Sequence, residues 1–253
     1  MDLGVRDRVY AITGGTRGLG RAAAEMLAAE GARLVVSSRN AATVRQAAAD
    51  LGGPGRAVGV AADLADPATP QRLIDAATAD FGRLDGALLS IGGPPTGQVA
   101  TTGDDAWRTA FESVFLGPLR AARQIAERLD GGGAIAFVLS TSVRQPIPGL
   151  STSNGLRPGL AMAAKTLADE LGPRGIRVVG LMPGRIETDR VRELDAAADD
   201  PAAVRARHEA SIPLRRYGQP VEFGRVAAFL LSPAASFVSG AMIPVDGGLL
   251  RGL

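Results

Sequence analysis

The sequence predicts a doubly wound α/β fold, a parallel sheet of about seven strands with helices on both faces. Two observations predict it. Short β-branched or aliphatic runs alternate with longer alanine-rich runs of helical period, which is the pattern of βαβ units. The strand runs are apolar without alternation, as expected where helices cover both faces of a sheet.

The strand candidates are 9–12, 34–37, 57–61, 87–90, 135–139, 178–182 and 241–245. The helix candidates lie near 19–30, 41–51, 67–81, 104–129, 157–172 and 220–231. In the fourth helix, Trp107, Phe111, Val114, Phe115 and Ile125 recur at helical spacing and are expected in the core. Asp104 and Asp105 before it read as a helix N-cap. Gly31 falls at the C′ position of the first helix. Pro158 lacks an N–H and belongs in a first turn, so its helix is expected to start near Leu156 or to bend there. The chain of 253 residues shows no repeat or low-complexity linker and is expected to form a single dinucleotide-binding domain over 1–253. The stretch 185–217 is charged and weakly helical and follows a strand's C-terminal end, the place of a substrate lid.

Composition excludes several classes. The chain has no cysteine and one histidine, His208, so thiolate and histidine metal clusters are excluded and no metal is expected. His208 reads as an exposed helix histidine. No apolar run reaches the length of a membrane span, and no signal-peptide pattern precedes the first strand, so a cytoplasmic location without membrane association is expected. The net charge is +2 and the basic residues are scattered singly among acids, which argues against nucleic acid.

Residues 13–20 read Thr13-Gly14-Gly15-Thr16-Arg17-Gly18-Leu19-Gly20, between the first strand and the first helix. Glycine permits a tight turn and close backbone approach to a pyrophosphate, and the helix N-terminus offers N–H groups and a positive dipole end. The loop therefore predicts nucleotide binding. Its Thr-Gly-x-x-x-Gly-x-Gly pattern resembles the short-chain dehydrogenase/reductase family, a Rossmann fold. Further segments, in the right order, are similar to that family. These are Asp63-Leu64 after strand three, Pro183-Gly184-Arg185-Ile186-Glu187-Thr188 after strand six, and Ser239-Gly240 with Asp246-Gly247-Gly248 near the C-terminus. The resemblance implies a nicotinamide cofactor held by Gly14, Thr16, Arg17, Gly18, Leu19, Gly20, Asp63, Leu64, Ser90, Gly92, Pro183, Gly184 and Ile186. At the end of strand two, Ser37-Ser38-Arg39-Asn40 carries no carboxylate. Ser38 and Arg39, with Arg17, suit a 2′-phosphate, so NADP(H) is expected over NAD(H).

The catalytic segment departs from the family. Aligned on Gly175-Ile176-Arg177-Val178, the family's Tyr position is Ser153 and its Lys position is Arg157. Its Ser falls on Ser140, and its Asn on Val114. Neither Tyr10 nor Tyr217 is followed by Lys four residues on, and the only lysine, Lys165, is preceded there by Ala161. No register restores Tyr-x-x-x-Lys. The chain resembles a divergent branch with Ser-Asn-x-x-Arg, often described as similar to 3-oxoacyl-carrier-protein reductases. Ser140, Ser153 and Arg157 are the expected catalytic residues, with Arg157 also on the cofactor ribose, and Ser142 and Asn154 are expected nearby. The expected reaction is oxidoreduction of a carbonyl/hydroxyl pair on a small-molecule or acyl-thioester substrate. A non-catalytic NADP(H)-binding sensor or inactive partner subunit is the alternative. The resemblance also implies a homo-oligomer, tetramer or dimer.

Overall fold

A computed structural model describes residues 1–196 and 198–252. Its frame is a seven-stranded sheet: β1 (Val9–Thr13), β2 (Arg33–Ser38), β3 (Ala57–Ala61), β4 (Gly86–Leu89), β5 (Gly133–Val138), β6 (Ile176–Pro183) and β7 (Met242–Val245). The strands lie in the order β3-β2-β1-β4-β5-β6-β7 and all pair in parallel. Every strand falls within two residues of its expected bounds. The winding reverses between β1 and β4, which opens a crevice beyond their C-terminal ends.

Successive side chains point to opposite faces. Val9, Ala11, Leu89 and Phe137 meet Leu73, Ile125 and Leu160 on one face. These come from α3 (Thr69–Phe81), α5 (Gly117–Ala126) and α6 (Ser151–Leu171). Tyr10, Ile12, Leu34 and Leu88 meet Leu27 of α1 (Gly18–Ala29) and Phe223 of α9 (Pro220–Leu231) on the other. The two edge strands are exceptions to the fully covered pattern: Gly59 and Ala61 of β3 and Pro244 of β7 are exposed. Helix α2 (Ala41–Asp50) joins β2 to β3. No helix among the described residues is long and apolar enough to cross a membrane.

The helical stretch expected over 104–129 is broken. It runs as α4 (Asp104–Ala110), a π-helical turn over Phe111–Leu116, and then α5. A π turn inserts a residue into the helical period, so the apolar face is not continuous through it. Val114 and Ile125 are buried as expected, but Phe111 is 42% exposed and Trp107 and Phe115 are half-buried. The Phe111 and Phe115 rings stack on each other at 5.2 Å. The cap of α4 is Gly103; Asp104 and Asp105 lie in the first turn and pair with Arg108.

Helix α6 starts at Ser151, six residues before the expected onset near 157, and Pro158 lies inside it. Tertiary contacts override the proline. Gly97 bridges to Leu150, Ser151 N–H donates to the Gly97 carbonyl, and Ser151 Oγ meets Thr102 Oγ1 at 2.8 Å. Asn154 clamps the preceding loop, accepting from Ile147 N–H at 3.0 Å and donating to Ile147 C=O at 2.8 Å. The hydrogen bond lost at Pro158 is confined to the carbonyl four residues earlier, that of Asn154. Gly155 lets α4 lie against this first turn, since a Cβ there would stand 2.6 Å from the Trp107 ring.

Gly117 brings α5 against the loop after β3, where an added Cβ would lie 2.3 Å from the Leu64 carbonyl oxygen. Gly117→Ala is expected to cost about 1–3 kcal/mol by chemical denaturation. An unchanged midpoint would show that α5 does not press on that loop.

Candidate active site at the carboxyl edge of the sheet

The β1–α1 loop forms a close cradle. Gly14 and Gly18 have φ of +60° and +57°. A Cβ on Gly20 would lie 2.5 Å from the Gly14 carbonyl oxygen, so the helix is drawn tight against the loop. The cap of α1 is Arg17, whose side chain makes no capping bond, so the first N–H groups of the helix have no protein side chain over them. Thr16 and Leu19 flank this opening. Thr13 Oγ1 donates to the Ser90 carbonyl at 2.9 Å and ties the loop to the end of β4.

The other expected cofactor residues lie along the same edge. Ser38 ends β2, and Arg39 follows it, exposed. Asn40 caps α2, accepting from Ala42 and Thr43 N–H at 2.9 and 3.0 Å. Asp63 accepts from Ala65 N–H at 3.0 Å and shapes the turn that presents Leu64. The strand register carries the line onward: Leu89 pairs with Phe137 and Pro183 with Val245. Ser90 and Gly92 follow the end of β4, and Ser140 follows the end of β5, so both loops leave the same edge of the sheet. Gly184 N–H donates to the Val245 carbonyl at 3.0 Å, and Ile186 is buried.

The end of β5 and the first turns of α6 bring the polar residues together. Ser140 Oγ accepts from Ser142 N–H at 3.1 Å, which leaves its own hydroxyl proton free. Ser142 Oγ and Ser153 Oγ are 3.2 Å apart and both residues are buried. The direct partner of Ser153 is thus Ser142 rather than Ser140. Arg157, one turn on, is 5% exposed. Its Nη1 donates to the carbonyls of Val138 at 2.7 Å and Leu139 at 3.0 Å. Among the described residues, Thr152 Oγ1 is the only fully enclosed side-chain polar atom without a partner, so the other Arg157 nitrogens are not wholly enclosed. Burial pushes the Arg157 guanidinium down to about 10, still protonated near neutrality.

Neither tyrosine supplies a neutral-pH acid. Burial pushes both up to about 12. Tyr10 faces the Leu231 carbonyl within the core, and Tyr217 donates to Asp195 Oδ2 at 2.8 Å. Lys165 is exposed on α6 and lies against Gly240, away from Ser153.

The segment after β6 contains α7 (Asp189–Ala196) and α8 (Pro201–Ser211). Its centre is Arg185, which donates to Asp195 Oδ1 at 3.0 Å and meets His208 Nε2 at 2.8 Å. Arg205 pairs with both Glu187 oxygens at 2.9 and 3.0 Å and lies 4.6 Å over the Tyr217 ring. His208 is therefore half-buried and engaged, not an exposed helix histidine. Arg190 reaches back across the edge, its Nη2 donating to the Pro94 carbonyl at 2.9 Å. Thr188 stands against Gly18 of the glycine loop.

A family profile described as enoyl-(acyl carrier protein) reductase matches residues 14–250. An uncharacterized oxidoreductase of Mycobacterium tuberculosis is 37% identical over 248 residues, covering 96% of this chain and 92% of that protein. The chain belongs to the short-chain dehydrogenase/reductase family of oxidoreductases. Levodione reductase of Leifsonia aquatica is 34% identical over 256 residues, covering 96% of this chain and 94% of the relative. The crystal structure of L-sorbose reductase from Gluconobacter frateurii, complexed with NADPH and L-sorbose, matches with a TM-score of 0.92 and 30% identity over 100% of both chains.

Within this short-chain dehydrogenase/reductase frame, the sequence reading missed two features. Ser142 was named only as a neighbour, because the three-residue turn that folds it onto Ser153 has no spacing signal. The Arg185–Asp195–His208–Tyr217 cluster joins residues far apart in sequence, and only the charge density of 185–217 hinted at it.

Arginine only donates, so His208 Nε2 accepts and the ring is neutral with its proton on Nδ1. Burial and the neighbouring Arg185 hold its pKa below the usual histidine range, with Arg207 acting the same way and Asp195 opposing. The unfolded chain then takes up a proton before the folded one. The group's stabilising contribution is present above about pH 6.5 and is lost as pH falls below it. Between pH 7 and 5 the melting temperature is expected to fall further for the wild type than for His208→Gln. Parallel curves would contradict the neutral, engaged ring.

Proposed function

We propose that this chain is an NADP(H)-dependent oxidoreductase that interconverts a carbonyl and a hydroxyl group, with serine hydroxyls and a buried arginine in place of the family's tyrosine and lysine. The observation that carries the reading is the assembly of Ser140, Ser142, Ser153 and Arg157 beside an open glycine cradle at one edge of the sheet.

The cradle fits a dinucleotide. Gly14 and Gly20 let the loop pack against Ser90 and the start of α1, and the N-terminus of α1 carries no side-chain cap, which leaves its first N–H groups for a phosphate. Gly14, Thr16, Gly18, Leu19 and Gly20 would hold the pyrophosphate, and Asp63 and Leu64 the adenine. Ser38, Arg39 and Arg17 would hold a 2′-phosphate, since no carboxylate stands at the end of β2. Ser90, Gly92, Pro183, Gly184 and Ile186 would border the nicotinamide. When bound, the nicotinamide supplies or accepts the hydride.

The chain's own groups divide the remaining work. The free hydroxyl proton of Ser140 polarises the substrate oxygen. Arg157 anchors the ribose, and its field stabilises negative charge as it develops on that oxygen. Arginine stays protonated and relays no proton, and serine is a weak acid, so water reaching the Ser142–Ser153 pair supplies the proton. The 185–217 segment acts as the lid that limits such water, within a single dinucleotide-binding domain. The substrate is a small molecule or an acyl thioester, and the protein works in the cytoplasm as a homo-oligomer. This reading draws support from levodione reductase and from L-sorbose reductase with NADPH, whose names both denote reduction.

A second reading, a non-catalytic NADP(H)-binding sensor or inactive partner subunit, is favoured by one observation. Both tyrosines are buried with pKa about 12, and neither stands at Ser153.

Equilibrium titration is expected to give tight NADPH and weak NADH binding, and Arg39→Ala to weaken NADPH by about tenfold or more with little change for NADH. Equal affinities would overturn the NADP(H) assignment. With NADPH bound, oxidation by a ketone, 3-oxoacyl thioester or quinone supports the first reading, and no turnover of any of them supports the second.

A further inference from the structure

Two guanidinium groups, those of Arg157 and Arg190, stand at the edge that carries Ser140. From residue 91 to 103, and again from 131 to 168, the sequence contains no Asp or Glu. These stretches supply the Gly92–Pro95 loop, the end of β5 with Ser140, and most of α6. Among the described residues, Arg157 is hydrogen-bonded only to the carbonyls of Val138 and Leu139. Arg190 reaches this edge from the first turn of α7. Its only hydrogen bond among the described residues is to the Pro94 carbonyl, and its Nε lies 3.0 Å from where a Cβ of Gly93 would stand. Of the carboxylates that flank Arg190 in sequence, Glu187 pairs with Arg205, Asp189 with Arg192, and Asp195 with Arg185 and Tyr217, while Glu193, one turn on, makes no ion pair with Arg190 among the described residues. Next to this guanidinium, Gly92 has open space where a side chain would begin.

We propose that the substrate carries a carboxylate remote from its reacting oxygen, and that Arg190 is the residue that grips it. The inference rests on the reading of this edge as the substrate site. A half-buried guanidinium facing one carbonyl dipole keeps donors for an anion, and its planar fork matches a carboxylate. The cofactor's own charge has a separate receptor. Thr188 faces Gly18 of the glycine loop, whereas Arg190, two residues on, reaches the Gly93–Pro94 loop instead. The Gly92–Pro95 loop and the end of β5 bring no acid against an anion there, and a neutral substrate would leave the remaining donors of Arg190 without a partner.

The test is calorimetric titration of the full chain, saturated with NADPH, using 4-oxocyclohexanecarboxylate and its methyl ester. The acid is expected to bind about tenfold or more tightly than the ester. Arg190→Gln is expected to erase that difference and Arg190→Lys to keep part of it. Unchanged NADPH affinity and melting temperature in both variants would show that they fold. Equal binding of acid and ester, binding of neither, or a preference that survives in Arg190→Gln overturns the proposal. So does a variant that loses NADPH affinity instead, because Arg190 would then serve the cofactor. If the wild type binds no NADPH, the cofactor reading fails by itself, and the same acid-to-ester comparison on the free protein still decides this one.

Discussion

A buried cation without a carboxylate beside it is the constraint around which the site is built. The Arg157 guanidinium is largely withdrawn from water and, among the described residues, is hydrogen-bonded only to the carbonyls of Val138 and Leu139. Such a group is held at a cost, because dipoles replace hydration incompletely. The lowered pKa records that cost. The return is positional: the two bonds lock α6 to the end of β5 and fix the serines of both elements within reach of one another. The Ser142–Ser153 contact spans the same junction, since the two residues belong to different elements joined by a loop. A preorganised charge of this kind acts on a developing oxyanion without having to move.

The surrounding structure serves to hold that edge rigid. Thr13 ties the glycine loop to β4, and Asn154 staples the loop before α6 to its first turn. Gly155 admits Trp107 against the same turn. On the far side of the cleft, the Arg185 cluster gathers α7, α8 and the loop bearing Tyr217 around one guanidinium. That segment is held by polar and ionic contacts rather than by a deep apolar core: α8 has no buried residue, and α7 has Asp195. Elements of this make open at lower free energy than the sheet they cover.

The sheet was legible in the sequence because its strands are short apolar runs, and a buried parallel strand leaves little else for such a run to be. The glycine loop was legible because close approach admits no other residue, as the Gly20 contact shows. Helix boundaries were less legible. Pro158 signals a first turn by local rules, yet the Gly97 bridge and the Asn154 staple, both distant or side-chain effects, carry the helix six residues further toward the N-terminus. The π turn is equally silent: it displaces Phe111 from the core without any change in residue type. At the site, the absence of Tyr-x-x-x-Lys was certain from sequence, and Ser153 and Arg157 stand in the first two turns of α6. What replaces the tyrosine's partner was not readable, because Ser140 and Ser142 are equivalent until the turn between them is known.

The central claim is that charge stabilisation by Arg157, and not a tuned tyrosine, serves this site. Its most direct test is the pH dependence of single-turnover NADPH oxidation, with an accepted substrate, between pH 6 and 9. Serine hydroxyls do not titrate there, Arg157 ionises only near 10, and both tyrosines stand near 12. The account predicts a rate that is flat across this range. A single ionisation with an apparent pKa between about 6 and 8 would reveal a tuned general acid and contradict it.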